Sequence, residues 1–265
     1  MPSSPKARIT PDMPHKSTSL LMTMAGGGGS AGTSTAGDMI VTNTAEVRIP
    51  EGPTTVSIVC VGAELTVNGA VVCSAFVAGN GLIGDGGGQG GQSGVTAYNA
   101  YTVNNPPTWT NGGLGGSGTS QATAGSYPGG GGGAGGYAGD GGDGENASDA
   151  NGEIPPRAAS AGVGGGGGGG RAATHNTPAT PGGGVGLYGT GANGAPGGVG
   201  QPGGHGSATG PIYGVSTAGY SGASLAYKNN IPVPAGRTVS VEVLHPNGAA
   251  RIIWGAGRSF PNNAA

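Results

Sequence analysis

Two stretches of this chain alternate with a period of two, and a long middle stretch carries almost no hydrophobic pattern. In the first, Val56, Ile58 and Cys60 alternate with Ser57, Val59 and Val61. Both sets are apolar or small, which predicts a strand covered on each face. Next come Glu64-Leu65-Thr66-Val67, then Asn68-Gly69, then Ala70-Val71-Val72-Cys73. Asn-Gly is the pair best able to take positive φ at both central positions of a type I′ turn, so this reads as a two-residue hairpin. In the second stretch, residues 227–233 lead through Pro234-Ala235-Gly236 into residues 238–244, where Val239, Val241 and Val243 alternate with Ser240, Glu242 and Leu244. A last strand follows over residues 249–254, with Arg251-Ile252-Ile253-Trp254. These terminal strands can pair with the early ones and close a small β layer. No segment shows the 3.6-residue periodicity of an amphipathic helix, and none is predicted.

The patternless middle is built from glycine. Sixty-five of the 265 residues are Gly, gathered in blocks at 26–29, 84–94, 112–118, 129–144, 162–170 and 182–206. Each Gly in a helix interior costs about 1 kcal/mol relative to Ala, and a Gly in a strand packs nothing. Two readings remain. Either the blocks are disordered, or they let backbones approach one another with no side chains between. A polyproline II helix has three residues per turn and no internal hydrogen bonds, so its N–H and C=O groups point sideways. Where every neighbour-facing residue is Gly, such helices can close up and bond laterally. The run 164–170 would make a rod about 20 Å long. The expected fold is therefore all-β: a small β-sheet or sandwich layer (45–78 plus 225–261) with a large inserted bundle of glycine-rich polyproline II helices and surface loops (79–224). Residues 1–44 are expected to be an extended arm, either an attachment or a floppy terminus.

Charge favours order over disorder. Only 8% of residues are charged, whereas disordered chains usually stay dissolved through high net charge. The net charge of −2 gives no electrostatic reason to expect nucleic acid or anionic lipid as a partner. No apolar run is long enough to insert in a membrane, and Leu20-Leu21-Met22 is too short for the core of an export signal. Two cysteines, Cys60 and Cys73, set no disulfide framework; two buried free thiols are the expectation, with a bridge between them the alternative.

Little here suggests catalysis. Asp140 and Asp143 sit among glycines in a single imperfect unit of a calcium repeat, and turn residues are the simpler account. His15, His175, His205 and His245 lack metal-ligand spacing. Glu145, Asp149 and Glu153 could supply a carboxylate pair for glycoside cleavage, but a solvated loop explains them as well. No nucleophile elbow, phosphate loop or metalloprotease motif occurs. No enzyme, metal or cofactor is expected. The segments between glycine blocks instead carry Tyr98, Tyr101, Trp109, Tyr127, Tyr213 and Tyr220. Aromatics beside Asn and Ser are common on recognition surfaces, and these six are the receptor-binding candidates. Their alternative role is packing over the glycine rods.

Three segments are similar to the glycine-rich domains of bacteriophage tail-fibre and tail-tip proteins. They are residues 49–62 (IPEGPTTVSIVCVG), 227–236 (YKNNIPVPAG) and 248–261 (GAARIIWGAGRSFP), the last being the most specific. With the glycine blocks, the resemblance spans residues 45 to 261. In that family's usual order the second segment follows soon after the first, whereas here the glycine blocks intervene, which implies rearranged strand connections. The layout also resembles the tip adhesins of T-even-type phages, in which glycine-rich helices form a layered sandwich and variable loops touch the bacterial receptor. The resemblance implies a virion protein, a tail-fibre or tip adhesin. Its loops would bind a surface polysaccharide or outer-membrane protein, and its arm and β layer would bind other virion proteins, with a homo-oligomer compatible with either. A structural virion component, such as a decoration, neck or baseplate spacer, is the alternative, and an ice-binding glycine-rich protein a distant third.

Overall fold

The computed structural model describes residues 36–53, 55–75, 108–110, 119–121, 125–127, 129–146, 158–171, 180–206, 212–213, 222–233, 236, 238–244 and 247–262. Thirteen strands and no helix occur among them: β1 (Gly37–Val41), β2 (Ala45–Arg48), β3 (Thr55–Val61), β4 (Ala63–Val67), β5 (Ala70–Ser74), β6 (Thr108–Thr110), β7 (Thr119–Gln121), β8 (Gly125–Tyr127), β9 (Val185–Gly186), β10 (Ile212–Tyr213), β11 (Leu225–Pro232), β12 (Thr238–Val243) and β13 (Ala249–Trp254). The fold is all-β, and its sheets are antiparallel.

The strands build a sandwich. One sheet has the order β1-β13-β3-β11-β6 and the other β2-β12-β4-β5. Alternation decides what each face meets. Val56, Ile58 and Cys60 of β3 and Ala250, Ile252 and Trp254 of β13 point between the sheets, against Leu65, Cys73, Val239 and Val241. Val59 and Val61 of β3, with Ala249 and Ile253 of β13, point the other way into a second core. The expected two-sided burial of residues 56–61 is therefore present, because a third layer covers the five-stranded sheet. The β4–β5 hairpin forms as its sequence predicts, with Asn68 at φ 52° and Gly69 at φ 76°.

The expected arm boundary differs from the chain's course. Within residues 1–44, β1 is an edge strand paired with β13 from Gly37↔Trp254 to Val41↔Ala250. The Trp254 ring lies over Gly37, where a Cβ would stand 2.6 Å from ring carbon Cζ2. The rest of the arm lies outside the described residues.

The third layer is made from the glycine blocks at 129–144, 162–170 and 182–206; those at 26–29, 84–94 and 112–118 lie outside the described residues. Each block was expected to act as one rod, but instead the chain folds back within them. Seven extended segments result among the described residues: I (129–137), II (139–146), III (158–163), IV (165–171), V (180–187), VI (193–198) and VII (201–206).

Their main-chain bonds step by three residues. Gly130, Gly133 and Gly136 donate to the carbonyls of Glu145, Gly142 and Gly139 on II, while Gly131 and Ala134 donate to Thr180 and Gly183 on V. Segment IV bonds to all six others. It exchanges bonds with I (Gly166 N–H to Ala134 O), II (Gly142 N–H to Gly166 O), III (Gly168 N–H to Ser160 O), V (Gly183 N–H to Gly167 O), VI (Gly194 N–H to Gly165 O) and VII (Gly167 N–H to Gly204 O). The six are also joined in a ring: I to II, II to III, III to VI, VI to VII, VII to V and V to I. IV is therefore enclosed on every side, which accounts for the uninterrupted glycines at 164–170. A Cβ on Gly166, Gly167, Gly168 or Gly170 would stand 1.8 to 2.0 Å from a carbonyl oxygen on V, VI, II or VI in turn.

Segments on the ring have an outer side, and there side chains return. On II, a Cβ at Gly141 or Gly144 would strike the carbonyl of Gly133 or Gly130 at 2.1 Å, and one at Gly142 that of Ser160 at 2.0 Å. Asp140 and Asp143 occupy the positions between. Segments I and V face the sheet, seating Ala134, Tyr137, Val185 and Leu187 against Val59, Val61, Leu225 and Ile253.

Candidate recognition surface

The glycine layer has two ends. At one end lie Glu145, Arg171, Thr180 and the 198–201 turn, where Gln201 N–H donates to Gly198 O and Gly200 N–H to Arg171 O. Described segments end here at 146 and 171, and others begin here at 158 and 180. An ion pair fastens this end: Arg171 Nε lies 3.3 Å from Glu145 Oε1, and Arg171 N–H donates to Glu145 Oε2 at 2.9 Å. The Glu145 carboxylate is thereby committed to structure, while Asp149 and Glu153, its supposed partners in cleavage, lie outside the described residues.

At the other end Gly164 N–H donates to Asn193 Oδ1 at 2.8 Å, and Gly184 N–H donates to His205 Nδ1 at 2.9 Å. His205 thus stands in for a carbonyl where segment VII runs out. His15, His175 and His245 lie outside the described residues. Asp140 and Asp143 act through their main chain, accepting from Val163 and Ser160, and Asp143 N–H donates to Ser160 Oγ at 2.7 Å. Among the described residues no group of three His, Cys, Asp or Glu could hold a metal ion.

The six aromatic candidates are not brought together by the described residues. Tyr98, Tyr101 and Tyr220 lie outside them. Trp109 belongs to β6 and pairs with Ala226 on the edge of the five-stranded sheet, and Tyr127 of β8 pairs with Thr119. Tyr213, on β10, pairs with Val185 and packs half-buried against the second core. Burial, with Tyr188 nearby, pushes its phenol above the usual range.

The residues that organise this face were not singled out by sequence. Tyr137 stacks on Phe260, with ring centroids 6.4 Å apart, and tilts against Tyr227 at 6.2 Å. Arg251 is buried on β13; its guanidinium donates to Asp38 Oδ2 from Nε at 2.9 Å and from Nη2 at 2.6 Å. It also donates to Leu187 O at 3.4 Å and lies 4.1 Å from the centre of the Tyr188 ring. One side chain therefore ties the edge strand, the five-stranded sheet and segment V together. Its signal in the sequence was a lone charge inside an apolar strand, which burial makes costly unless it is paired.

The three segments that carry the resemblance meet at one place. Asn229 Nδ2–H donates to Phe260 O at 2.9 Å, and Phe260 N–H donates back to Asn229 Oδ1 at 2.9 Å. Next to them Asn230, at φ 56°, donates its N–H to Ser57 Oγ at 3.3 Å. The ladder between β11 and β3 is irregular between Lys228 and Ile231, and that irregularity frees the Asn229 side chain to hold the closing turn.

No protein-family model matches this chain, and no curated protein or solved structure matches it.

Proposed function

We propose that the seven glycine segments are polyproline II helices in hexagonal packing, six around one, and that the chain is a bacteriophage virion appendage protein, a tail-fibre or tail-tip adhesin. The three-residue step of the donors supports the first part, since that step equals one turn of a polyproline II helix. Bonds leaving one segment for different neighbours at successive residues need the same threefold symmetry. The central glycine run and the outward side chains of segment II follow from it.

The observation that carries the second part is the pairing of this layer with residues 49–62, 227–236 and 248–261, which resemble phage tail proteins and converge on one joint. Function on this reading is binding without catalysis. The sandwich is the base, the glycine layer is a stiff platform, and the segments between its strands and helices present aromatic and polar groups to a bacterial surface polysaccharide or outer-membrane protein. The arm and β layer dock onto other virion proteins. Alanine replacement of Tyr98, Tyr101, Trp109 and Tyr220 in the assembled particle tests this: adsorption to the host falls at least tenfold. Unchanged adsorption removes the adhesin reading.

A structural virion component is the second reading, and the half-burial of Tyr213 favours it, since that candidate serves packing. Electron microscopy of labelled particles separates the two: copies at distal tips support adhesion, and copies on shell or neck support a spacer.

A further inference from the structure

We propose that Cys60 and Cys73 are the two halves of an inter-sheet disulfide that closes when the protein meets an oxidising environment. Cys60 lies on β3 of the five-stranded sheet and Cys73 on β5 of the four-stranded sheet. Both point into the core between the sheets, β3 and β5 touch across it, and Cys73 acts on the Cys60 thiol as a near neighbour. They are the chain's only cysteines, so neither thiol has another partner within the molecule. In this structure both are free and buried.

Their surroundings explain how the pair stays reduced and where it opens. Burial first, and the neighbouring Cys73 second, push the Cys60 thiol well above its ordinary range. The thiolate needed for exchange is therefore scarce while the core is closed. Access comes through β5, an edge strand of its sheet whose pairing with β4 is irregular between Leu65 and Thr66, beside Cys73. Edge strands are the first to open locally.

The co-reactant is a low-molecular-weight disulfide such as oxidised glutathione. One cysteine thiolate attacks it, forming a mixed disulfide and releasing one glutathione thiolate. The second cysteine thiolate then attacks the protein sulfur of that bond and releases the other. The two protons lost by the cysteines end on the two glutathione molecules, and the two cysteines are oxidised by the electron pair that the small disulfide gains.

The test refolds the full chain from denaturant with oxidised glutathione and records intact mass and melting temperature. The expected product is lighter by two hydrogen atoms and, after cleavage behind Glu64, yields two peptides joined through Cys60 and Cys73. Its melting temperature rises by about 5–10 °C, as expected for closing a short loop. The Cys73→Ala variant shows no such rise. Two glutathione adducts on the wild-type chain, or two thiols still open to alkylation after the treated protein is unfolded, overturn the proposal. The mass result on the wild-type chain decides even if Cys73→Ala fails to fold.

Discussion

Adding one methyl group at the centre of the glycine layer should do far more damage than adding the same group at its rim. In Gly166→Ala the new Cβ would stand 1.9 Å from Gly183 O and 2.3 Å from Gly183 C. Real Cβ contacts essentially never fall below 3.0 Å, so segment V must retreat by about 1 Å. Two bonds cross or border that gap: Gly183 N–H to Gly167 O at 2.8 Å and Ala134 N–H to Gly183 O at 2.9 Å. Lengthened by about 1 Å, both leave the hydrogen-bonding range. The two bonds hold four buried groups, and each group left without a partner costs about 1–3 kcal/mol, giving about 4–12 kcal/mol in all. That is a large share of the roughly 5–15 kcal/mol by which a folded domain is stable. Gly198→Ala is the control, because its Cβ meets nothing within 4 Å and its φ is not left-handed. It should be neutral or stabilise by about 0.4–1 kcal/mol, through the reduced entropy of the unfolded chain. Urea unfolding of both variants reads the difference, and amide exchange at Gly183 and Ala134 locates it. If Gly166→Ala is as stable as Gly198→Ala, the enclosed position of segment IV is wrong.

Other consequences are open to measurement. Asp38→Ala strands the buried Arg251 guanidinium and should cost about 3 kcal/mol, whereas adding Arg251→Met should recover at least half of the loss; equal stability of the single and double variants would contradict the buried pairing. Asn229→Ala removes both bonds to Phe260 and should cost about 1–2 kcal/mol, with amide exchange accelerated at Phe260 but not at Ile58. Burial pushes the Tyr137 phenol above its ordinary range, so the folded state holds its proton more tightly than the unfolded chain does. The stability this provides is full below about pH 10, where unfolded tyrosine begins to ionise, and is lost as pH rises beyond it. Melting curves from pH 9 upward should show that loss, and Tyr137→Phe should lessen it.

The sandwich was legible because its strands follow simple rules. Alternation marked β3 and β12, β11 and β13 were read as the strands that flank β12, and Asn68-Gly69 fixed the β4–β5 hairpin. β1 was missed because Gly37-Asp38-Met39-Ile40-Val41 carries no clean alternation; it is held by pairing to β13 and by the Trp254 ring over Gly37. β6 to β10 run for two or three residues each, and only partners distant in sequence make them strands. In the glycine blocks, composition pointed to lateral main-chain packing, but the fold-back points were invisible. Gly136 N–H donates to Gly139 O across Tyr137 and Ala138, and neither is a residue type that announces a turn. The recognition candidates were chosen for being aromatic, a property that packing also uses. Tyr213 was drawn into the core, as were Tyr137 and Tyr227, which were not chosen.

The bonds of the glycine layer join uncharged amides, so nothing in its interior depends on counter-ions or on a titrating group. The cohesion of that interior should therefore change little with salt or pH, and any such dependence should arise at its ends, where the Arg171–Glu145 pair and the His205 ring take part. Where an outward side chain bonds to no other segment its residue can be exchanged without disturbing the interior; Ser160 and Glu145, which bond to Asp143 and Arg171, are held. Such a plate combines an invariant inside with an exterior whose chemistry is free to drift.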